Sequence, residues 1–599
     1  MKRKANFNDC SSNKKRKIEA KNNDDWSEWV AASKTYNFIM NDPLVDWLNL
    51  YWKECGENRT NNSSKNWENK KKLSDNNSLF MQDIFAKGNE FEKYVFAELK
   101  NKFGDENIIQ IADNGYHSRE IKKYQETLEA MKNNIPIIYQ GVVYDYENKL
   151  YGIPDLIVKK NWLNIIFDNF DEFCNEDYYV IIDIKLSKLN YGSNFNFIKN
   201  IGSVLAFKSQ LFIYNCALGE MQKFKPNCAY ILSRGWQANY TSGGIKYNEY
   251  SNNCFDRAGI INFENEKNVE ELTLKAIAWI RNVRKFGKNW VLFPKPSVPE
   301  LYPNMRIKNG FWYKVKKNIA EKLNDITLIS YCTPKNRNNL LKNSGTHSWK
   351  NDNCNSENLK IGGKIISSRV DQILNTNRNC AKISPQKIIS NVGDWKNNNY
   401  REFYIDFEAT NIGNNVFIYL IGIGWEEIGK FNYKYFIVDN LSNDEEKRII
   451  CELYEFIGDK NNRLYHYGKF EKICIDKYFA RDKYFARDNN IERDDIEWFD
   501  IYNNIILREP ITILGSFGFG LKDVAKAMYN NGMIKSTWKS SEHCANGLDA
   551  TIIAKKCNEK LEENQKLEDL KEIQSVIKYN KLDCKVLWEM LKYFRENCA

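Results

Sequence analysis

An apolar stretch in the first half of the chain predicts two neighbouring strands that together carry two carboxylates and a lysine. Residues 178–185 are rich in β-branched and aromatic residues, which is typical of a buried strand. Asp183 and Lys185 are two positions apart in this stretch, so they share one face of the strand. Residues 151–158 predict the neighbouring strand, where Asp155 can lie beside both side chains.

This trio of side chains suits metal-assisted cleavage of phosphodiester bonds. Carboxylate oxygens are the ligands that Mg²⁺ prefers, and a lysine can orient an attacking water or stabilise charge that grows on a phosphate. The alternative is a solvated strand face, because Asp-x-Lys is a common strand pattern. The segments that flank the strands therefore help to distinguish a cleavage site from a solvated strand face.

Two predicted helices flank these strands and add further polar groups. Residues 88–92 open an amphipathic helix in which Glu92 offers another carboxylate. Gln210 and Tyr214 are four residues apart, so they share one face of a later helix. With its groups in this order, the chain resembles the RecB-like branch of the PD-(D/E)XK nucleases over roughly residues 80–235.

That resemblance implies a role for each of these side chains. It implies Glu92, Asp155 and Asp183 as metal ligands, Asp183 and Lys185 as catalytic residues, and Gln210 and Tyr214 as substrate-binding residues. Some RecB-like nucleases also hold an iron–sulfur cluster between closely grouped cysteines. The 15 cysteines here include no Cys-x-x-Cys pair, so we expect neither that cluster nor a disulfide framework.

A second set of carboxylates lies in the last third of the chain. Asp406 and Glu408 alternate with apolar residues and share one face of a predicted strand. Tyr579 and Asp583 are four residues apart on a predicted late helix. Strand and helix carboxylates that converge in this way can hold a two-metal site, in which the ions clamp one in-line displacement.

This second set resembles the DEDD exonucleases of the RNase H-like fold over roughly residues 398–597. The resemblance implies Asp406, Glu408 and Asp583 as metal ligands, Asp406 as a catalytic residue, and Tyr579 as the group that orients the attacking water. One position departs from the family pattern, because Glu471 stands where an aspartate is usual. We assign Glu471 as a metal ligand, with Asp500 as the alternative. Since glutamate is one methylene longer, we expect this domain to bind metal but to be a weaker exonuclease than the N-terminal domain.

The expected fold class is α/β: a PD-(D/E)XK restriction-endonuclease-like core followed by an RNase H-like mixed-sheet domain. Composition and the two resemblances predict the following segments: a basic disordered tail (1–24), a helical preface with a polar linker (25–77), a RecB-like nuclease domain (78–295), a connecting module without an assigned role (296–395), and an RNase H-like DEDD exonuclease domain (396–599).

Charge and hydropathy narrow the class of partner. A formal net charge of +10 over 599 residues fits an anionic partner such as nucleic acid. No apolar run reaches membrane-spanning length, so we expect an intracellular protein without a membrane partner. The basic runs within residues 1–24 favour a nuclear-import signal or a phosphate-binding arm, which allows a nuclear or viral replication compartment.

Together these features predict a Mg²⁺- or Mn²⁺-dependent nuclease that acts on DNA in repair, recombination or replication. Similar pairs of domains occur in predicted nucleases of bacteria and large DNA viruses, where a helicase can follow them. The chain has no P-loop motif, so any helicase would be a separate partner. The rival interpretations are a catalytically degenerate nucleic-acid-binding scaffold and an RNA-processing nuclease.

Overall fold

The computed structural model of the protein separates the chain into two compact units. One unit comprises the chain up to Ile39 together with Val95–Lys288, and the other comprises Met40–Tyr94 together with Asn289–Ala599. The structure describes residues 26–52, 79–170, 177–195, 197–242, 245–308, 311–397, 399–412, 415–458, 461–482, 496–538 and 547–599.

Two predicted segments lie outside these described residues, namely the basic tail over residues 1–24 and the polar linker over residues 57–77. Among the described residues, no helix combines the length and the apolar character that a membrane crossing requires.

The first unit contains a mixed sheet and two smaller sheets. Its strands are β1 (Val30–Ala31), β2 (Ile108–Gln110), β3 (Ile137–Tyr139), β4 (Val143–Asp145), β5 (Leu150–Gly152), β6 (Leu156–Lys159), β7 (Tyr179–Lys185), β8 (Leu189–Tyr191), β9 (Cys228–Ser233), β10 (Trp236–Ser242), β11 (Ile245–Ser251) and β12 (Gly259–Asn262). The mixed sheet has the order β12-β9-β7-β6-β3-β2, and the smaller sheets have the orders β1-β5-β4 and β11-β10-β8.

The second unit is built on another mixed sheet. Its strands are β13 (Ile383–Ser384), β14 (Arg401–Ile412), β15 (Asn415–Glu427), β16 (Lys430–Ile437), β17 (Asn462–His466), β18 (Ile496–Asp500) and β19 (Thr512–Ile513). The mixed sheet has the order β16-β15-β14-β17-β18, and β13 pairs with β19 separately. Strands β14, β17 and β18 run parallel, whereas β15 is antiparallel to both of its neighbours.

The α-helices, in chain order, are α1 (Tyr36–Ile39), α2 (Leu44–Tyr51), α3 (Leu79–Phe103), α4 (Ile121–Lys132), α5 (Leu163–Ile166), α6 (Val204–Gln222), α7 (Lys267–Phe286), α8 (Tyr313–Leu323), α9 (Pro334–Ser344), α10 (Lys364–Arg378), α11 (Asn443–Ile457), α12 (Phe470–Arg481), α13 (Leu521–Asn530), α14 (Gly547–Asn558) and α15 (Lys571–Cys598). Helix α6 packs against β4, β5 and β7 within the first unit, and α15 packs against β14, β15 and β16 within the second.

In the first unit, the predicted strand over residues 178–185 agrees well with the structure, whereas the predicted strand over residues 151–158 agrees less well. Strand β7 covers nearly the whole predicted stretch, and it pairs antiparallel with β6. The predicted strand over residues 151–158 is divided between β5 and β6, which belong to different sheets. Pro154 lies in the break, and a proline has no N–H to donate to a sheet.

The early helix also differs from its prediction. Helix α3 begins at Leu79, well before Gly88, where the sequence predicted the helix to open. A glycine inside a helix costs about 1 kcal/mol relative to alanine, and the long apolar and charged run around it overrides that penalty. Glu92 therefore lies inside a long helix and not in its first turn.

Strand alternation positions the carboxylates of the second unit. Phe403, Ile405 and Phe407 are buried on one face of β14, in the core beneath the sheet. Side chains of alternate residues point to the opposite face, so Asp406 and Glu408 face α15. The core of this domain thus fixes where both carboxylates point.

Candidate functional site

Three carboxylates of the second unit converge at one point. Asp406 and Glu408 project from β14, and Asp583 projects from α15. One oxygen from each lies within 4.8 Å of the others. The periods of a strand and a helix both matter here, because neither element alone brings three carboxylates together.

Burial raises the pKa values of these three carboxylates. Glu408 and Asp583 are each 5 % exposed. Burial raises the pKa of Asp406 and of Glu408 well above the usual range, and the neighbouring Asp583 raises both further. Burial also raises the pKa of Asp583 to about 7, although Lys522, Trp538 and Tyr579 act in the opposite direction.

These three carboxylates suit the binding of a hard divalent cation. Carboxylate oxygens are the ligands that Mg²⁺ and Mn²⁺ prefer, and several buried acids of like charge repel one another unless a cation lies between them. A bound cation inverts this electrostatic balance, since it is then the largest local charge. The donor set of Asp406, Glu408 and Asp583 therefore fits the metal that the sequence predicts.

Asn580 holds Asp406 in its position. Its amide Nδ2 donates to Asp406 Oδ2 at 2.8 Å and to the Asp406 carbonyl at 2.9 Å. The hydroxyl of Tyr433 in turn donates to Asn580 Oδ1 at 2.8 Å. Gly422, opposite Asp406 on β15, leaves room for this amide, because a Cβ built there would lie 1.6 Å from Asn580 Oδ1.

Asp583 has its own supporting groups. Trp538 Nε1 donates to Asp583 Oδ1 at 2.7 Å. The Tyr579 hydroxyl also forms a hydrogen bond with Asp583, and burial raises the pKa of that hydroxyl well above its usual range, so Tyr579 is a neutral donor. Lys522 Nζ lies 4.6 Å from the centre of the Tyr579 ring.

Glu471 and Asp500 differ in the hydrogen bonds that their carboxylates accept. Glu471, near the start of α12, is 5 % exposed, and its Oε2 accepts no hydrogen bond from the described residues. Burial raises its pKa to about 8, with further contributions from Asp500 and Asp583. Its nearest basic neighbour is His466, whose Nδ1 lies 3.7 Å from Oε2. An orphaned buried oxygen of this kind fits a ligand to a cation.

Asp500, by contrast, is engaged in local backbone structure. Its Oδ1 accepts from the N–H of Gly468 at 2.9 Å and from the N–H of Asn503 at 3.2 Å. Its Oδ2 accepts from Asn503 Nδ2 at 2.5 Å. These bonds use both oxygens, so the geometry favours Glu471 over Asp500 as the fourth carboxylate of the site.

In the first unit, the predicted strand pair brings Asp155, Asp183 and Lys185 together. Lys185 Nζ lies 2.6 Å from Asp183 Oδ2 and 3.9 Å from Asp155 Oδ2. Asp183 is only 1 % exposed, and its Oδ1 accepts no hydrogen bond from the described residues. The N–H of Ile184 donates to Asp155 Oδ2 at 2.6 Å, which fixes that carboxylate beside β7.

Helix α6 brings the predicted substrate-binding pair to the same strands. Gln210 Nε2 donates to the Tyr214 hydroxyl at 2.8 Å, as expected for one helix face. Phe207, one turn earlier, lies with its ring centre 5.2 Å from Lys185 Nζ. Glu92 is half-buried in α3, in the part of that helix assigned to the second unit.

The sequence analysis missed several supporting residues of the second site. They come from five different segments, and they are Gly422, Tyr433, Lys522, Trp538 and Asn580. Only Asn580 carried a usable signal, because it follows Tyr579 directly and a buried amide needs hydrogen-bond partners. The other four become neighbours through tertiary packing alone.

Comparison with known proteins gives a family match in the second unit. Residues 403–595 match the family model described as the RNase_H superfamily. The second unit contains an RNase H-like domain. The match spans Asp406, Glu408, Glu471, Tyr579 and Asp583. No curated protein and no solved structure matches the chain.

This domain indicates a hydrolase of nuclease type or another activity on nucleic acid. It also supports the predicted α/β fold class, since several mixed sheets lie among many helices. RNase H-like nucleases typically use divalent metals. The three convergent carboxylates of this domain are consistent with the binding of such a metal.

Proposed function

We propose that the protein is a nuclease that hydrolyses phosphodiester bonds of DNA with the help of Mg²⁺ or Mn²⁺. The observation that carries this proposal is the convergence of the half-buried Asp406 with the buried Glu408 and Asp583 in the RNase H-like domain. A structural role gives no reason for three acids to converge at a site where two of them are buried, because each one raises the cost of ionising the others.

The residues divide the work of the proposed reaction. Asp406, Glu408, Asp583 and Glu471 would hold the cation, which supplies Lewis-acid activation of a water and of the phosphate when it is bound. The neutral Tyr579 hydroxyl donates to Asp583, and its oxygen can accept a hydrogen bond from the attacking water and so orient it. The Lys522 ammonium, above the Tyr579 ring, can offset negative charge on the phosphate.

We further propose that the first unit carries a second cleavage site of the RecB-like type. Asp155 and Asp183 would hold the cation, and Lys185 would stabilise the charge of the transition state. The 2.6 Å contact between Lys185 and Asp183, and the position of α6 beside them, support this assignment. DNA is the preferred substrate in this proposal, because both resemblances include enzymes that act on DNA.

A cleavage assay with purified protein tests the proposal. Labelled single-stranded and double-stranded DNA and RNA are offered with Mg²⁺, with Mn²⁺ and with EDTA. Glu408→Gln disables the RNase H-like site, and Asp183→Asn disables the first site. Glu427→Gln is the matched control, since Glu427 is an exposed acid on β15 of the same domain.

We expect metal-dependent cleavage of DNA that each single substitution lowers, that the double substitution abolishes, and that Glu427→Gln leaves unchanged. Cleavage of RNA alone would support the RNA-processing alternative. Binding of nucleic acid without cleavage under any metal would support the scaffold alternative and contradict the proposal.

A further inference from the structure

An open cleft lies beside the carboxylate site of the RNase H-like domain. It has a volume of about 420 Å³ and lies between the edge strand β16 and helix α15. It is lined by Tyr433, Lys434, Tyr435, Ile577, Lys578 and Lys581. None of the sequence patterns discussed above includes these residues.

The cleft offers aromatic rings on one wall and ammonium groups on the other. Tyr433 and Tyr435 are two residues apart on β16, and their ring centres lie 6.2 Å from each other. Lys578 and Lys581 are exposed and one turn apart on α15. Lys581 Nζ lies 5.7 Å from the centre of the Tyr433 ring.

Lys434 has a different orientation. Its ammonium lies 4.8 Å from the ring centre of Phe436 and 4.6 Å from that of Phe456. Strand alternation explains this difference, because Lys434 and the two tyrosines leave β16 on opposite faces. The cationic wall of the cleft is therefore formed by the two lysines of α15.

Hydrogen bonds link the cleft to the carboxylate site. The Tyr433 hydroxyl donates to Asn580 Oδ1, and Asn580 Nδ2 donates to Asp406 Oδ2, both at 2.8 Å. A ligand in the cleft thus lies two hydrogen bonds away from Asp406.

Rings beside ammonium groups match the chemistry of an unpaired nucleotide strand. Bases stack on aromatic side chains, and phosphates attract lysines. In a duplex the faces of the bases are covered by their neighbours, so only a single strand can use both walls. We propose that this cleft binds the single-stranded part of the nucleic acid that the Asp406 site cleaves.

This inference rests on the proposed function, but a binding measurement tests it separately from cleavage. Fluorescein-labelled oligothymidine and a duplex of equal length are titrated with the full chain in EDTA, and fluorescence anisotropy is followed. Tyr435→Ala should weaken single-strand binding about tenfold, since base stacking on an aromatic side chain is worth about 5- to 150-fold in affinity. Tyr435→Phe, which keeps the ring, should bind like the wild type.

The salt dependence of binding tests whether the lysines of α15 contact phosphates. The slope of log affinity against log salt changes by about 0.7 for each phosphate contact of a single strand, so replacing both Lys578 and Lys581 with glutamine should lower it by about 1.4. Lys434→Gln is the control, because it removes one positive charge from the same region, while its ammonium lies beside Phe436 and Phe456 and makes none of the proposed contacts.

Three results would overturn the inference: equal affinity of wild type for duplex and single strand, unchanged affinity in Tyr435→Ala, or a loss of slope of about 0.7 in Lys434→Gln, the same loss per lysine as in the double variant. If the expected pattern appears in a protein that cuts no substrate, the cleft assignment stands and the proposed nuclease function fails. If cutting occurs without that pattern, the nuclease stands and the cleft assignment fails.

Discussion

The two candidate sites differ in how their buried carboxylates are balanced by positive charge. In the first unit, Asp183 is 1 % exposed and has Lys185 at 2.6 Å. In the RNase H-like domain, one oxygen from each of Asp406, Glu408 and Asp583 lies within 4.8 Å of the others, and the pKa of each is raised by burial and, for the first two, by its acidic neighbours. In the first site a lysine directly contacts a buried carboxylate, whereas in the RNase H-like site three acids share the influence of Lys522 and their raised pKa values favour the protonated forms when no cation is bound.

This difference indicates which site depends more strongly on a bound cation. An ion pair within the chain keeps a buried carboxylate charged without any ligand. A group of acids that must otherwise repel one another gains more from a divalent cation. We therefore expect the RNase H-like domain to be the stronger metal site, although the extra methylene of Glu471 predicts that it is the weaker exonuclease.

We expect the largest effect from the loss of the Asp406 carboxylate. In a protein that carries Asp183→Asn, adding Asp406→Asn should lower the remaining cleavage at least about 100-fold, because even residues that only support metal ligands cost about 10–100-fold when replaced. Rates of cleavage of labelled DNA at saturating Mg²⁺ measure this loss. Cleavage that persists at the parent rate would place the second site elsewhere.

A backbone position should produce the next largest effect. Gly422→Ala places a methyl group where the Asn580 amide lies, so Asp406 loses its support, and we expect cleavage by the RNase H-like site to fall about 10–100-fold. Asn580→Ala should have a similar effect without the steric conflict. If Gly422→Ala keeps full activity and a folded circular dichroism spectrum, Asn580 does not position Asp406.

The first unit should respond to loss of its internal cation mainly through stability. Lys185→Gln leaves Asp183 buried without its partner, and breaking a buried pair costs about 3–5 kcal/mol. Lys185 is 18 % exposed, so we expect a smaller loss, about 2 kcal/mol, in the free energy of unfolding of this unit, measured with urea.

A double variant separates this electrostatic effect from lost packing. Adding Asp183→Asn to Lys185→Gln removes the unpaired charge, so most of the lost stability should return. If the double variant is as unstable as Lys185→Gln alone, the loss came from packing around Phe207 and not from charge.

The smallest expected effect distinguishes Glu471 from Asp500. Asp500→Asn weakens the hydrogen bonds to Gly468 and Asn503, and we expect it to lower the free energy of unfolding by about 1 kcal/mol while cleavage continues. Glu471→Gln should instead lower cleavage and leave stability nearly unchanged. The opposite pattern would make Asp500 the fourth carboxylate of the site.

Local spacing was enough to predict much of both sites. The two-residue period of a strand places Asp406 beside Glu408 and Asp183 beside Lys185, and the helical period places Tyr579 beside Asp583. The pairing of β6 with β7 also followed from the apolar pattern.

Spacing along the chain does not reveal partners that arrive from distant segments. Trp538, Lys522 and Tyr433 contact Asp583, Tyr579 and Asn580, respectively, only because the sheet order and helix packing bring their segments together. The role of Asp500 depends on the N–H of Gly468, 32 positions away, which no local pattern records. Gly422 is informative only after the position of Asn580 is known.

The most direct test of the account is the binding of Mn²⁺ to the intact protein, followed by electron paramagnetic resonance, which distinguishes free from bound ion. We predict tight binding by the wild type, nearly unchanged binding by Asp183→Asn, and loss of the tight sites in Glu408→Gln. Glu427→Gln, the exposed-acid control, should bind like the wild type. Tight binding that survives Glu408→Gln but disappears in Asp183→Asn would contradict the central claim that the RNase H-like carboxylates form the principal metal site.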